Sequence, residues 1–88
     1  MELSDEMLIE YGYVTSSAYR AKVLKSLDGD TKMPSQIARD SDIKQNHISN
    51  VLNQLKKREL VECINPEVRK GRLYRLTEKG DELVKNME

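Results

Sequence analysis

The 88-residue sequence contains no phenylalanine or tryptophan, and it has only one cysteine and one histidine. Because the large apolar rings are missing, the core must be packed from aliphatic side chains and four tyrosines. The single cysteine, Cys63, excludes an internal disulfide and a thiolate metal cluster, and it favours a reducing, intracellular compartment. With His47 as the only histidine and no glycine-rich phosphate loop, we expect no catalytic residues, no metal and no cofactor.

Long apolar runs are also missing, since none approaches the roughly 18 residues that a membrane span needs. Residues 1–6 are acidic and carry no apolar stretch, so we expect no secretory signal and no membrane association. The mean hydropathy of −0.71 is typical of a soluble protein with a thin core. A chain of this length is too short for two cores, which predicts a single domain over residues 1–88.

The sequence has no net charge, because 15 basic residues balance 15 acidic ones. The charges are nevertheless segregated along the chain. Residues 1–10 carry only acidic groups, residues 44–58 carry only basic groups, and residues 66–79 are predominantly basic. This distribution is compatible with one basic face on a neutral protein.

The first half of the chain contains two clear helical patterns. Ser16 or Ser17 can cap a helix that ends at a turn over residues 28–30. Pro34 suits the first position of a second, short helix, which ends near residues 40–42. Before them, residues 3–11 have helical spacing, and we expect Gly12 to break that segment and an extended stretch to follow.

Residues 45–58 form the longest helical pattern. Apolar residues recur along one side at helical spacing. The opposite side carries amides and hydroxyls instead of the usual mixture of glutamate and lysine, namely Gln45, Asn46, Ser49, Asn50 and Asn53. Asparagine and serine are mediocre helix formers, so a function other than helix formation is favoured for this face.

The last third of the sequence predicts a β-hairpin followed by a helix. Residues 60–64 and 72–76 are the predicted strands, and a basic loop that ends at Gly71 joins them. Thr77 is a good cap for the C-terminal helix, and we expect Gly80 to weaken its first turn. The fold class is therefore α+β and mostly α.

The order of helix, short helix, tight turn, helix, hairpin and helix is that of a winged helix-turn-helix with a three-helix core. Four segments resemble archaeal and bacterial winged regulators of the ArsR and MarR type. RAKVLKSL at residues 20–27 is similar to their first helix, and PSQIA at 34–38 to the start of their second. IKQNHISNVLNQL at 43–55 resembles the recognition helix, and KGRLYRLTEKG at 70–80 resembles the wing and the helix cap that follows it.

The resemblance implies a cytoplasmic, nucleoid-associated regulator that binds double-stranded DNA, commonly as a homodimer. By position, four residues of the recognition helix would face the major groove: Gln45, Asn46, Ser49 and Asn50. Three cations of the wing would approach the backbone or minor groove: Arg69, Lys70 and Arg72. We add Ser35, Lys44 and Asn53 to the DNA-binding candidates; Lys44 stands where a Ser or Thr cap is usual and brings a cation near a phosphate instead.

The chemistry of the residues agrees with this interpretation. Asparagine and glutamine amides can pair bidentately with adenine in the major groove, and cations at the edge of the site can contact phosphates. The alternatives are a winged helix that binds another protein, which zero net charge favours, and an RNA-binding winged helix. We expect no small-molecule effector. Residues 1–15 and 81–88 either form a dimer interface or complete the core.

Overall fold

Five helices and one antiparallel hairpin make up residues 3–87, the part of the chain that the computed structural model describes. The elements in order are α1 (Asp5–Thr15), α2 (Ala18–Ser26), α3 (Pro34–Ser41), α4 (Gln45–Lys57), β1 (Val61–Cys63), β2 (Tyr74–Leu76) and α5 (Glu78–Lys85). This arrangement confirms the winged helix-turn-helix expectation, and α1 adds a helix in front of it.

Helix α1 corrects the prediction for the N-terminal segment. It continues through Gly12 to Thr15, where we had expected a break and an extended stretch. Met7, Glu10 and Val14 follow each other at steps of three and four, so all three are buried on one face of the helix. This burial outweighs the roughly 1 kcal/mol by which glycine disfavours a helix.

Local capping sets the bounds of α2 and α3 as the sequence predicted. The Ser17 hydroxyl accepts a hydrogen bond from the Arg20 backbone N–H at 3.3 Å, which begins α2. Pro34 occupies the first turn of α3, and the Gln36 side chain accepts from the Met33 N–H at 2.9 Å. Asp42, in the left-handed region with φ 57°, ends α3 and turns the chain sharply towards α4.

Helix α4 places its apolar stripe in the centre of the molecule. Its buried residues are Ile48, Val51, Leu52 and Leu55, and it ends one residue before the predicted end. Lys44 is the N-cap and, as the sequence indicated, its side chain makes no capping hydrogen bond. The amide-rich face therefore points outwards because the stripe on the other side is held in the core.

The hairpin is shorter than predicted, with three residues in each strand and Cys63 opposite Tyr74. Leu60 does not pair as part of β1, since its N–H bonds to Leu55 at the end of α4 and its carbonyl accepts from Thr77. On the other edge of β2, Tyr74 exchanges two backbone hydrogen bonds with Lys32. The wing is thus attached to the segment just before α3.

Gly80 has a packing role that the sequence did not indicate. A Cβ atom built at this position would lie 2.0 Å from the Leu60 carbonyl oxygen, so only glycine lets α5 approach the residue before β1 this closely. The Thr77 hydroxyl accepts from the Gly80 N–H at 3.0 Å, which confirms the predicted cap. The expectation that Gly80 merely weakens α5 was incomplete.

The terminal helices complete the core of the single chain. Val14 of α1 and three residues near the C-terminus, Leu83, Val84 and Met87, are buried with the rest of the core. Leu8 and Ile9 are different, because 54% and 65% of their surfaces remain exposed on α1. None of the helices in residues 3–87 has the length and apolar character needed to cross a membrane.

Candidate nucleic-acid interface

One cleft brings together side chains from three separate parts of the chain. The start of α3, the first half of α4 and the tip of the hairpin line it, and we call it the wing cleft. Six of the ten predicted site residues line it: Ser35, Gln45, Ser49, Arg69, Lys70 and Arg72. The wing cleft therefore combines hydroxyls and an amide on the helices with cations on the loop.

A second groove runs along the later half of α4, and we call it the helix groove. It holds two more predicted residues, Asn50 and Asn53, together with Gln54, Lys56 and Lys57. Lys44 and Asn46 lie at the exposed start of α4 and line neither cleft. All ten predicted site residues are exposed, so the structure leaves each of them accessible to a large ligand.

Asn65 shapes the wing, although sequence reasoning used it only as the end of a strand. Its side-chain amide donates to the Gly71 carbonyl at 3.1 Å, and its oxygen accepts from the Leu73 N–H at 2.8 Å. Gly71 itself has φ 74°, which few other residues adopt without strain. The Asn-Pro pair was the available signal, since asparagine commonly bonds to nearby backbone in turns.

The three cations of the wing have different surroundings. The Arg72 guanidinium donates to the Val68 carbonyl at 2.7 Å and the Pro66 carbonyl at 3.3 Å, so it also stabilises the loop. Arg69 and Lys70 form neither a hydrogen bond through their side chains nor an ion pair within residues 3–87. They are the two wing cations whose charges remain available to an external anion.

Glu6 and Glu10 of α1 lie in a different part of the structure. With Tyr13, Arg58 and Lys79 they form a group that we call the anchor cluster. Glu10 is 5% exposed, and its two oxygens contact Arg58 at 3.2 Å and Lys79 at 2.8 Å. Glu6 lies 3.3 Å from Lys79. The hydrogen bond from Lys79 to Glu10 raises the pKa of that lysine above its ordinary value. Acidic charge is thus paired here, away from the wing cleft.

Tyr13 contacts Arg58, the last of the three consecutive basic residues at the end of α4. Its ring lies between the guanidinium groups of Arg58 and Arg20, each 4.0 Å from the ring centre. Arg58 is therefore held in the fold by Tyr13 and Glu10, whereas Lys56 and Lys57 remain exposed beside the helix groove. A run of three cations in the sequence becomes one structural residue and two surface residues.

The two residues with reactive side chains are both held by neighbours. His47 is exposed on α4, and its ring lies 5.4 Å from the ring of Tyr19 in a tilted contact. The Cys63 thiol is half-buried and donates to the Asn65 side-chain oxygen at 3.6 Å. Within residues 3–87, no group of three or more His, Cys, Asp or Glu side chains is arranged to hold a metal ion.

Several solved structures share the fold of this chain. A double mutant of Lactococcus lactis ZitR aligns with a TM-score of 0.70 at 21% identity, over 80% of this chain and 49% of its own. The MarR family transcriptional regulator SPO1453 from Silicibacter pomeroyi DSS-3 aligns with a TM-score of 0.69 at 20% identity, over 93% of this chain and 61% of its own. NadR in complex with 4-hydroxyphenylacetate aligns with a TM-score of 0.68 at 19% identity, over 91% of this chain and 61% of its own.

The chain thus spans about half to three-fifths of the length of these three neighbours. No curated protein matches the sequence. Residues 6–88 match a family model described as winged helix-turn-helix. Because this match extends over almost the whole chain, and the fold agrees with it, the protein belongs to the winged helix-turn-helix family.

Proposed function

We propose that the chain is a sequence-specific DNA-binding transcriptional regulator. In this proposal α4 enters the major groove and the wing contacts the backbone or the minor groove. The observation that carries the proposal is the wing cleft, where Gln45 and Ser49 of α4 face the same space as the available cations Arg69 and Lys70. A partner that fits it must offer polar edges beside closely spaced negative charges, as duplex DNA does.

The two kinds of side chain have separate tasks in this proposal. The exposed amides and hydroxyls of α4 read base edges, with Asn46 and Asn50 suited to adenine. The cations hold phosphates and supply most of the affinity that does not depend on sequence. Because Glu6 and Glu10 of α1 are paired in the anchor cluster, a protein with no net charge can still present a basic binding face.

We further propose that the protein acts as a homodimer on the nucleoid. Two recognition helices would then lie about 34 Å apart and read a pseudo-palindromic site. The buried positions of Leu83, Val84 and Met87 leave α5 few apolar groups for a partner, whereas Leu8 and Ile9 of α1 are exposed. Of the two terminal segments, 1–15 is therefore the better supported interface, and sedimentation of a Leu8→Ser/Ile9→Ser variant beside the unaltered chain tests it.

Fluorescence anisotropy with a mixed-sequence duplex at several salt concentrations tests the DNA proposal. The unaltered chain is expected to bind in the micromolar range with a steep negative salt dependence. An Arg69→Glu/Lys70→Glu variant should lose this binding. A Lys22→Glu/Lys25→Glu variant is the matched control, because it changes the charge equally on α2, outside both grooves. Equal loss in both variants would argue against a contact at the wing.

A protein-binding winged helix is the second candidate function. The exposed Leu8 and Ile9 on α1 favour it, together with the absence of net charge. The same titration separates the two functions. No duplex binding at low salt, with the fold intact by circular dichroism, would favour the protein partner.

A further inference from the structure

Gln54 is a polar side chain of the helix groove that another helix holds in place. It lies on α4 one turn after Asn50, and it is partly buried while the other residues that line the groove are exposed. The sequence pattern did not select it, because it lies between the buried stripe and the amide face of α4. Its environment shows why its side-chain amide has a defined direction.

Arg20 of α2 holds the carbonyl oxygen of this amide. The Arg20 Nε donates to Gln54 Oε1 at 3.0 Å. Arg20 is itself held firmly, since its Nη1 donates to the Tyr13 carbonyl at 2.8 Å and to the Ser16 hydroxyl at 3.2 Å. Its guanidinium also stacks on the Tyr13 ring, so it presents its Nε to α4 from a fixed position.

The chemistry of this contact decides which end of the amide is left for a ligand. A guanidinium carries only donors, so the oxygen of Gln54 must face Arg20 and the NH₂ group must point the other way. That NH₂ group has no acceptor within residues 3–87. The result is an oriented pair of N–H donors in a groove that Lys56 and Lys57 also line.

We propose that Gln54 donates a hydrogen bond to a DNA phosphate and that Arg20 is the positioning residue that orients it. This inference rests on the proposed DNA-binding function. A donor beside two cations suits an anionic acceptor. In helix-turn-helix proteins the first part of the recognition helix reads the bases, and Gln54 is the tenth residue of the 13 in α4. A phosphate at the edge of the groove is therefore favoured over a base.

Two substitutions of Gln54 separate its donor from its acceptor. Gln54→Met keeps the length of the side chain and removes both ends of the amide. Gln54→Glu keeps an acceptor for Arg20 and replaces the donor with an anionic oxygen. Each variant is titrated by fluorescence anisotropy against two duplexes of unrelated sequence, and its fold is checked by circular dichroism and thermal unfolding.

Gln54→Met should weaken binding to both duplexes by the same factor, about tenfold. Its salt slope should stay unchanged, because a neutral donor releases no counterion. Gln54→Glu should unfold at the same temperature as the unaltered chain or higher, since Arg20 keeps its acceptor, yet bind both duplexes more weakly than Gln54→Met. The Gln54→Met result carries the test of the donor, since Gln54→Glu also adds a negative charge that repels phosphates.

A double-mutant cycle tests the role of Arg20. Arg20→Met should weaken binding in the unaltered chain but cause no further loss in the Gln54→Met background, with the salt slope unchanged in both. A further loss together with a flatter salt slope would show that Arg20 contacts DNA itself, and would overturn its positioning role. If Arg20→Met does not fold, the comparison of Gln54→Met with the unaltered chain on both duplexes, at an unchanged salt slope, still tests the donor.

The outcomes distinguish this inference from the proposed function. If the unaltered chain binds neither duplex at low salt, both proposals are wrong. If the unaltered chain binds and both Gln54 variants bind as tightly as it does, only the role of Gln54 is wrong. If Gln54→Met weakens binding to one duplex only, the donor reads a base, and the phosphate assignment is overturned.

Discussion

The wing cleft and the anchor cluster use the same types of charged residue in opposite ways. In the anchor cluster, the Glu10 carboxylate is buried between Arg58 and Lys79, and it ties α1 to the end of α4 and to α5. In the wing cleft, Arg69 and Lys70 are exposed and pair with no acidic side chain in the described part of the chain. The comparison teaches that the location of the acidic residues, and not the net charge, decides which basic residues can bind a partner.

Gly80 follows Lys79 of the anchor cluster and packs against the Leu60 carbonyl, and a substitution there should have the largest effect. Gly80→Ala places a methyl group against the Leu60 carbonyl, which has no room to move because it also accepts from Thr77. We expect a loss of roughly 3 kcal/mol in the free energy of unfolding, measured with urea. Gly12→Ala is the matched control, since its Cβ would meet nothing within 4 Å and should stabilise α1 by about 1 kcal/mol. Similar results for both would contradict the packing role of Gly80.

Removing the buried carboxylate should have the next largest effect. Glu10→Ala removes the buried carboxylate from Arg58 and leaves Lys79 with the exposed Glu6. We expect a loss of about 2 kcal/mol in the free energy of unfolding because both cations are partly exposed. The control is Glu62→Ala, which breaks the exposed ion pair with Arg75 and should change the free energy by less than about 0.5 kcal/mol. An equal cost for the two variants would mean that burial does not distinguish these ion pairs.

Substitutions in the wing cleft should leave the stability almost unchanged and weaken DNA binding. Arg69→Ala/Lys70→Ala should change the free energy of unfolding by less than about 0.5 kcal/mol, because neither side chain pairs within residues 3–87. Its affinity for any duplex should fall by about tenfold, and its salt slope should be smaller by about two. Anisotropy at several salt concentrations measures both quantities. Binding of random DNA as tight as that of the unaltered chain would show that the wing assignment is wrong.

The smallest effect concerns the pH dependence of the anchor cluster. The hydrogen bond to Glu10 raises the pKa of Lys79 above 10.5, so the folded state holds this proton more tightly than the unfolded state does. The resulting stability is complete below the unfolded pKa and is lost as the pH rises through the folded pKa. The difference in melting temperature between the unaltered chain and Lys79→Met should therefore shrink as the pH rises above the ordinary lysine value of 10.5. A constant difference would contradict this linkage.

Much of the fold could be predicted because its signals are local. Ser17 and Thr77 cap helices through bonds within one turn, and Pro34 favours the first turn of α3. The apolar stripe of α4 repeats at helical spacing from Ile48 to Leu55. The prediction for α1 was wrong because Gly12 disfavours a helix locally, while the burial that overrides it comes from distant elements. Gly80 was misjudged for the same reason, since its neighbour Leu60 lies 20 positions earlier.

The candidate site could also be predicted only where its signals are local in the sequence. The amide face of α4 and the basic loop were visible as composition, and the structure brings six of the ten chosen residues to one cleft. The oriented amide of Gln54 was not visible, because Arg20 lies 34 positions away. The loop-holding bonds of Arg72 and Asn65 were also missed, since both side chains serve the backbone of the wing.

From α2 onwards, the sequence by itself determined which segments are helical, where they begin and which stretches are basic, because these properties depend on neighbours within a few residues. The tertiary structure decided which charges are paired and which are exposed. Glu10 meets Arg58 and Lys79 across 48 and 69 positions, so these ion pairs exist only after the helices have packed. The physical reason is that electrostatic pairing depends on distance in space, and local patterns do not contain that distance.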